Sequence, residues 1–224
     1  MRMSESLIIV TGLPRSGTSM MMKMLQTGGM EVLMDNIRKA DEDNPEGYYE
    51  FERVKKIKED TSWLDGVEGK VVKMASMLLY DLPSDKKYRL IFMKRNLEEI
   101  LLSQRKMLQR KGAEDNIDDE EMRRLFSKHL EEIEAWLSGQ QNVEVLYVDY
   151  NDMLRKPQEN IRILNGFLDN IPDTDRMIKV VDNSLYRNRK SSGIKADERE
   201  PEDETESVKD DEKIKARLSE LGYM

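Results

Sequence analysis

Cysteine is absent from the 224 residues, and histidine occurs once, at position 129. The first absence removes disulfides and thiolate nucleophiles. The second leaves no imidazole cluster to anchor a metal. No apolar run approaches the roughly 20 residues that a helix needs to cross a bilayer, and the N-terminus carries no apolar stretch of signal-peptide type. Positive charge is also short: the net charge is −8, which argues against a nucleic-acid binder, whose surface would be basic. These shortages point to a cytoplasmic protein that partners neither membrane nor nucleic acid.

What remains is enough for one domain. Hydrophobic residues make up 38% and charged residues 37%, a modest core under a heavily charged surface. Residues 195–224 hold eleven acidic and six basic side chains, so −5 of the −8 belongs to the tail. The body, 1–194, is only slightly acidic, and basic residues can dominate a cleft within it.

The stretch that organises the chain runs from Leu7 to Leu25. Leu7-Ile8-Ile9-Val10 is a short continuous apolar run, as expected of a strand buried on both faces. A turn with Gly12, Pro14 and Gly17 follows, then a helix start whose pairs Met20/Met24 and Met21/Leu25 lie four residues apart. Strand, glycine turn and helix N-terminus together form an anion cradle: backbone N–H groups crowd an oxyanion and the helix dipole adds its positive end. The glycine spacing fits a P-loop, but Thr18 stands where an NTPase needs lysine. The cation lies inside the turn instead, at Arg15.

Further strands are expected at 70–74, 88–94 and 143–148, and helices near 52–60, 97–110, 119–138, 157–169 and 173–182. Strands alternating with helices indicate an α/β, three-layer P-loop fold with a central, mainly parallel sheet of four to five strands flanked by helices. Ligands in such sheets bind beyond the carboxyl ends of the strands. That directs attention to the 12–19 turn, Lys73, Arg95 and Asp149-Tyr150. Residues 196–212 are acidic and nearly free of apolar side chains, and read as a linker. Ile214, Leu218 and Leu221 then offer a turn and a half of amphipathic helix, able to dock on the body or on another copy as a homodimer.

Pro14-Arg15-Ser16-Gly17-Thr18-Ser19 resembles the 5′-phosphosulfate loop of the sulfotransferases, which take a sulfuryl group from 3′-phosphoadenosine 5′-phosphosulfate (PAPS) and release PAP. In that family an arginine ends the third strand and a serine eight residues later joins it on the 3′-phosphate; Arg95 and Ser103 have that spacing. Tyr150-Asn151-Asp152-Met153-Leu154 with Pro157 is similar to the segment after the family's fourth strand. Asn44-Pro45-x-Gly47-Tyr48-x-Glu50 looks like a segment of bacterial members. Arg187, Arg189 and Lys190 sit where the family has a basic loop over the 3′-phosphate, without that loop's R-K-G-x-x-G-D-W form.

The resemblance implies roles. Pro14 to Ser19 would hold the 5′-phosphate, Arg95, Ser103, Arg187, Arg189 and Lys190 the 3′-phosphate, and Arg15 with Lys73 the leaving oxygen. Lys73 matches the lysine of the family's K-T-H segment, but Met74 and Ala75 replace Thr and His, so the base must be a carboxylate. Glu50 is the first choice, with Glu42 and Glu46 in reserve. His129 reads as a surface or packing residue, and Asp149 as structural. The function so read is sulfuryl transfer from PAPS to a hydroxyl or amine of a small-molecule or carbohydrate acceptor. Two rivals stand beside it: a P-loop kinase using ATP–Mg²⁺, and a catalytically inactive nucleotide-binding protein working through a partner. Tyr48, Tyr49, Trp63 and Met77 suit either an acceptor pocket or the core.

Overall fold

The computed structural model describes residues 2–35, 37–39, 41, 44, 47–112, 117–181 and 204–223. The reserve carboxylates Glu42 and Glu46 and the basic residues Arg187, Arg189 and Lys190 lie outside the described residues, as do residues 196–203 of the acidic stretch. Four strands form one sheet: β1 (Leu7–Gly12), β2 (Val71–Lys73), β3 (Tyr88–Lys94) and β4 (Val143–Asp149). Their order is β2-β1-β3-β4, and every pairing is parallel. This is the α/β architecture expected from the alternating elements.

The helices are α1 (Thr18–Thr27), α2 (Leu97–Lys111), α3 (Asp119–Ser138), α4 (Tyr150–Arg155), α5 (Pro157–Phe167), α6 (Thr174–Ile178) and α7 (Glu204–Leu221). The two faces of the sheet explain the unbroken apolar run in β1. Ile8 and Val10 join a core with Met21 and Leu25 of α1, Met153 of α4 and Leu164 of α5. Leu7 and Ile9 point the other way, to Ile133 and Leu137 of α3. Side chains alternate along a strand, so a run with no polar break needs cover on both faces.

Three elements differ from the sequence reading. The lysine-rich stretch expected as a helix over 52–60 is a 3₁₀ turn, Glu52–Lys56. Its buried residues Val54 and Ile57 are three apart, the period of a 3₁₀ turn. Helix α4 was not expected: Asp149 caps it by accepting from the Asp152 N–H at 2.8 Å, and Lys156, non-helical before Pro157 (φ −134, ψ 59), separates it from α5. That cap bears out Asp149 as a structural residue. Finally, α7 is 18 residues long, where a turn and a half was expected after position 213. It packs against α2 and α3 with Ile214 and Leu218 buried. Buried Asp210 accepts from Arg124 (3.1 Å) and Lys128 (3.2 Å) of α3, which extends the helix back beyond its apolar stripe.

Candidate active site

β1 ends at Gly12, and the chain turns through Leu13 to Gly17 before α1 begins. Gly12 has φ 142 and Gly17 φ 102, values that glycine alone adopts readily. A Cβ on Gly17 would overlap the Tyr150 ring, 2.9 Å from its Cε2. The turn therefore lies flat on Tyr150, at the start of α4. Arg15 also has positive φ, 77°, a conformation that a side-chain-bearing residue holds at a cost of order 1–3 kcal/mol and that clusters at functional sites. Three contacts fix it. The Gln104 amide donates to the Pro14 carbonyl at 3.1 Å. Arg95 Nη1 donates to the Arg15 carbonyl at 3.0 Å. Arg15 Nε donates to Ser103 Oγ at 2.9 Å.

The local sequence explains how Arg95 and Ser103 reach the turn. Lys94 ends β3 beside β1, and Asn96 caps α2, its side chain accepting from the N–H groups of Glu98 and Glu99. Such a cap contributes about 1 kcal/mol. Arg95 is left at the junction, over the sheet's carboxyl edge, and Ser103 lies two turns along α2 on its buried side. Arg95 is held by Glu99, with Nε to Oε2 at 2.9 Å, and by the face of Tyr150, 4.5 Å from the guanidinium carbon. Glu99 and Gln104 thus shape the site without having been singled out from the sequence, and Tyr150, marked there at a strand's carboxyl end, contributes its ring.

The start of α1 has the features of an anion cradle. No side chain caps Gly17, so the first N–H groups of the helix lack that partner. Ser16 Oγ is buried and has no hydrogen-bond partner among the described residues. Thr18 is buried, and Ser19 Oγ accepts from the Asn44 amide at 2.9 Å.

Lys73, Glu50 and the segment around Tyr48 gather at the end of β2. Lys73 pairs in register with Val10, so its side chain leaves the sheet next to the turn. It is buried, donates to the Tyr48 carbonyl, and stands 3.9 Å from Glu50 Oε1. Burial pulls its ammonium pKa down to about 8, against the opposing pull of Glu50. Glu50 also takes Arg38 Nη1 at 2.9 Å and Lys55 Nζ at 3.4 Å. Arg38 lies on the Tyr48 ring, whose hydroxyl donates to Asp41. The sequence reading pointed to neither Arg38 nor Lys55. Arg38 comes from an irregular loop and Lys55 from the 3₁₀ turn Glu52–Lys56, and only the fold brings them to Glu50. Together with Arg15 and Lys73 they make a basic cluster in an acidic protein.

His129 is buried, not on the surface. Its Nε2 is 2.8 Å from Ser76 Oγ, also buried, and Tyr80 packs edge-on against it. Desolvation depresses its pKa to about 4. Trp63 belongs to the core under the sheet, edge-on to Phe51 at 5.6 Å. Met77 joins the core beside α2 and α3. Tyr48 is buried with Met107, Leu108 and Leu221.

Among the described residues no group of three or more His, Cys, Asp or Glu is arranged to hold a metal ion, and no helix is long and apolar enough to cross a membrane. A sulfotransferase domain from the curacin biosynthetic pathway has the same fold, with TM-score 0.51 and 13% sequence identity over 100% of this chain and 99% of that one. A sulfotransferase from Alicyclobacillus acidocaldarius is more distant in structure, with TM-score 0.39 and 16% identity over 80% of this chain and 98% of that one. No curated protein matches the sequence significantly. The family model described as "Sulfotransferase domain" matches residues 5–220, from the residue before β1's lead-in to the end of α7, and the chain belongs to that family.

Proposed function

We propose that this sulfotransferase takes its sulfuryl group from PAPS and delivers it to a hydroxyl or amine acceptor. The observation that carries the reading is the contact of Arg15 Nε with Ser103 Oγ at 2.9 Å, with Arg95 bonded to the carbonyl of the same Arg15. A glycine turn suited to one phosphate meets a guanidinium and a hydroxyl suited to another, and a 3′,5′-bisphosphorylated adenosine offers both. The fit is supported by the uncapped start of α1 and the unpartnered Ser16 hydroxyl, donors that a 5′-phosphate would satisfy. Thr18 in place of a P-loop lysine speaks against an ATP-dependent kinase.

In this reading the backbone of residues 15–19, with Pro14 setting the turn and Thr18 and Ser19 adding hydroxyls, holds the 5′-phosphate. Arg95 and Ser103 hold the 3′-phosphate, the guanidinium through paired donors. Arg187, Arg189 and Lys190 extend that grip by their charge. The bound donor supplies an activated sulfuryl group, and the protein's part is electrostatic. Arg15 and Lys73 face the oxygen on which negative charge grows, a preorganised stabilisation that is usually the largest catalytic contribution. Glu50 accepts the acceptor's proton, and Arg38 and Lys55 hold its carboxylate in position.

Thermal unfolding with nucleotides tests the donor. A ligand at 100 times its dissociation constant adds about 2.7 kcal/mol, so PAP is expected to raise the Tm while ADP–Mg²⁺ leaves it unchanged. An equal response to adenosine nucleotides that lack the 3′-phosphate would remove the argument from Arg95 and Ser103. Mass spectrometry of labelled-sulfate transfer onto cell extract would then identify the acceptor.

A further inference from the structure

The last turn of α7 ends inside the basic cluster. Three cations from three segments take its terminal carbonyls. Arg38 donates to Leu221 and Gly222, both at 3.1 Å. Lys55 reaches Gly222 at 3.4 Å, and Lys111 of α2 reaches Leu221 at 2.9 Å. Tyr223 follows. Its ring stands 5.3 Å from the Arg38 guanidinium carbon and 5.4 Å from Lys73 Nζ, and the positive charge of Arg15 acts on its phenol. Leu221 is fully buried against Tyr48, Met107 and Leu108. A free helix end would leave its last carbonyls to water. Here they are matched by Lys111 and by Arg38 and Lys55, which also hold Glu50.

We infer that residues 221–223 are an internal ligand of the donor site: this segment occupies Arg38, Lys55 and Lys73 beside Arg15, and must withdraw before a nucleotide can use them. The inference rests on the PAPS reading above. Arg15 donates to Ser103 with the Tyr223 ring set among the same cations, and a bisphosphorylated nucleotide would claim both Arg15 and Ser103. The grip of Arg38, Lys55 and Lys111 on carbonyl oxygens is of the kind an anion replaces, since a charged acceptor forms the stronger bond. Apparent affinity for the nucleotide is then lowered by the fraction of molecules in which the segment is withdrawn. The buried contacts of Ile214 and Leu218 lie further back on α7, so the end can lift while the helix stays docked.

Calorimetric titration of PAP into the full chain, Tyr223→Phe and Tyr223→Ala tests this, with thermal unfolding to confirm that each variant is folded. Tyr223→Ala is expected to bind PAP about tenfold more tightly or better, the scale of the ring's cation contacts with Arg38 and Lys73. Tyr223→Phe, which keeps the ring and loses the phenol, should fall between. Equal affinities in all three would overturn the inference and leave the PAPS reading standing. Weaker binding by Tyr223→Ala would also overturn it, because the segment would then be part of the nucleotide site. No PAP binding by any of them would bring down the donor assignment, and this inference with it.

Discussion

The guanidinium carbon of Arg38 lies 3.4 Å from the centroid of the Tyr48 ring while its Nη1 holds Glu50 at 2.9 Å. Ring and carboxylate are two residues apart, on a loop with no regular structure, and Arg38 ties them into one unit. Stacking of this kind aims the fork of an arginine. It explains how an irregular segment can hold a carboxylate at a fixed point beside Lys73.

Replacing that carboxylate separates catalysis from binding. Glu50→Gln is nearly isosteric, keeps an oxygen for Arg38, and removes the proton acceptor. Turnover is expected to fall about 10²–10⁴-fold, the usual contribution of a general base. PAP affinity should hold or rise, because Arg38, Lys55 and Lys73 lose their partner and the cluster becomes more positive. Steady-state kinetics beside a PAP titration reads both. An unchanged turnover number would remove Glu50 from the base position.

The glycine turn makes a second test. Gly17→Ala puts a methyl group into the Tyr150 ring and strains a backbone at φ 102. Overpacking of this kind typically costs about 1–3 kcal/mol, and the anion cradle should lose PAP binding outright. In Gly17→Ala/Tyr150→Leu the clash is relieved while the unfavourable φ remains. Part of the stability should therefore return, without the full affinity. Urea unfolding of both variants checks the stability half.

How much of this was legible in the sequence depends on how local each signal is. β1 and its turn could be read because an unbroken apolar run, two glycines and a helix start are adjacent in the chain. Arg95 and Ser103 could be singled out because they match the arginine and serine, eight residues apart, that the resemblance to the sulfotransferases implies, a spacing within one strand end and one helix. Arg38, Lys55, Lys111 and Tyr223 meet only through tertiary structure, so no window of the sequence contains their relationship. Residues 52–60 misled for another reason. Lysines are good helix formers, but propensity is weak, and the spacing of Val54 and Ile57 decided the outcome. For α7, charge suggested a linker, and the fixed partners of Asp210 on α3 outweighed it.

His129 gives a prediction about pH. Its folded pKa of about 4 lies below the ordinary 6.5, so between those values the unfolded chain binds a proton that the native protein does not. Stability is then lost as pH falls through this window. On the scale of 1.36 kcal/mol per pKa unit, about 2 kcal/mol is gone by pH 5 relative to pH 7 from this group alone. Denaturant unfolding at the two pH values should show the difference, and His129→Leu should flatten it. An equal pH slope in the variant would mean that other groups govern acid sensitivity.

Ser103 tests whether one nucleotide touches both grips. The hydroxyl is buried, 2.9 Å from Arg15 Nε, and the proposal gives it to the 3′-phosphate. A hydrogen bond to a charged group contributes about 1.5–3 kcal/mol, so Ser103→Ala should weaken PAP about tenfold or more. Binding of 5′-AMP, which lacks the 3′-phosphate, should stay the same or improve slightly, since Arg15 is released to turn toward the glycine turn. The preference for PAP over AMP therefore shrinks, and that ratio is the informative quantity, because simple damage to the fold would lower both affinities together. Arg95→Lys should shrink it as well, a point charge replacing paired donors. It should also loosen the turn itself, through the lost bond to the Arg15 carbonyl, so AMP should weaken in that variant where it does not in Ser103→Ala. A serine variant that weakens PAP and AMP equally would assign Ser103 to holding Arg15 in place, with no share in reading the 3′-phosphate.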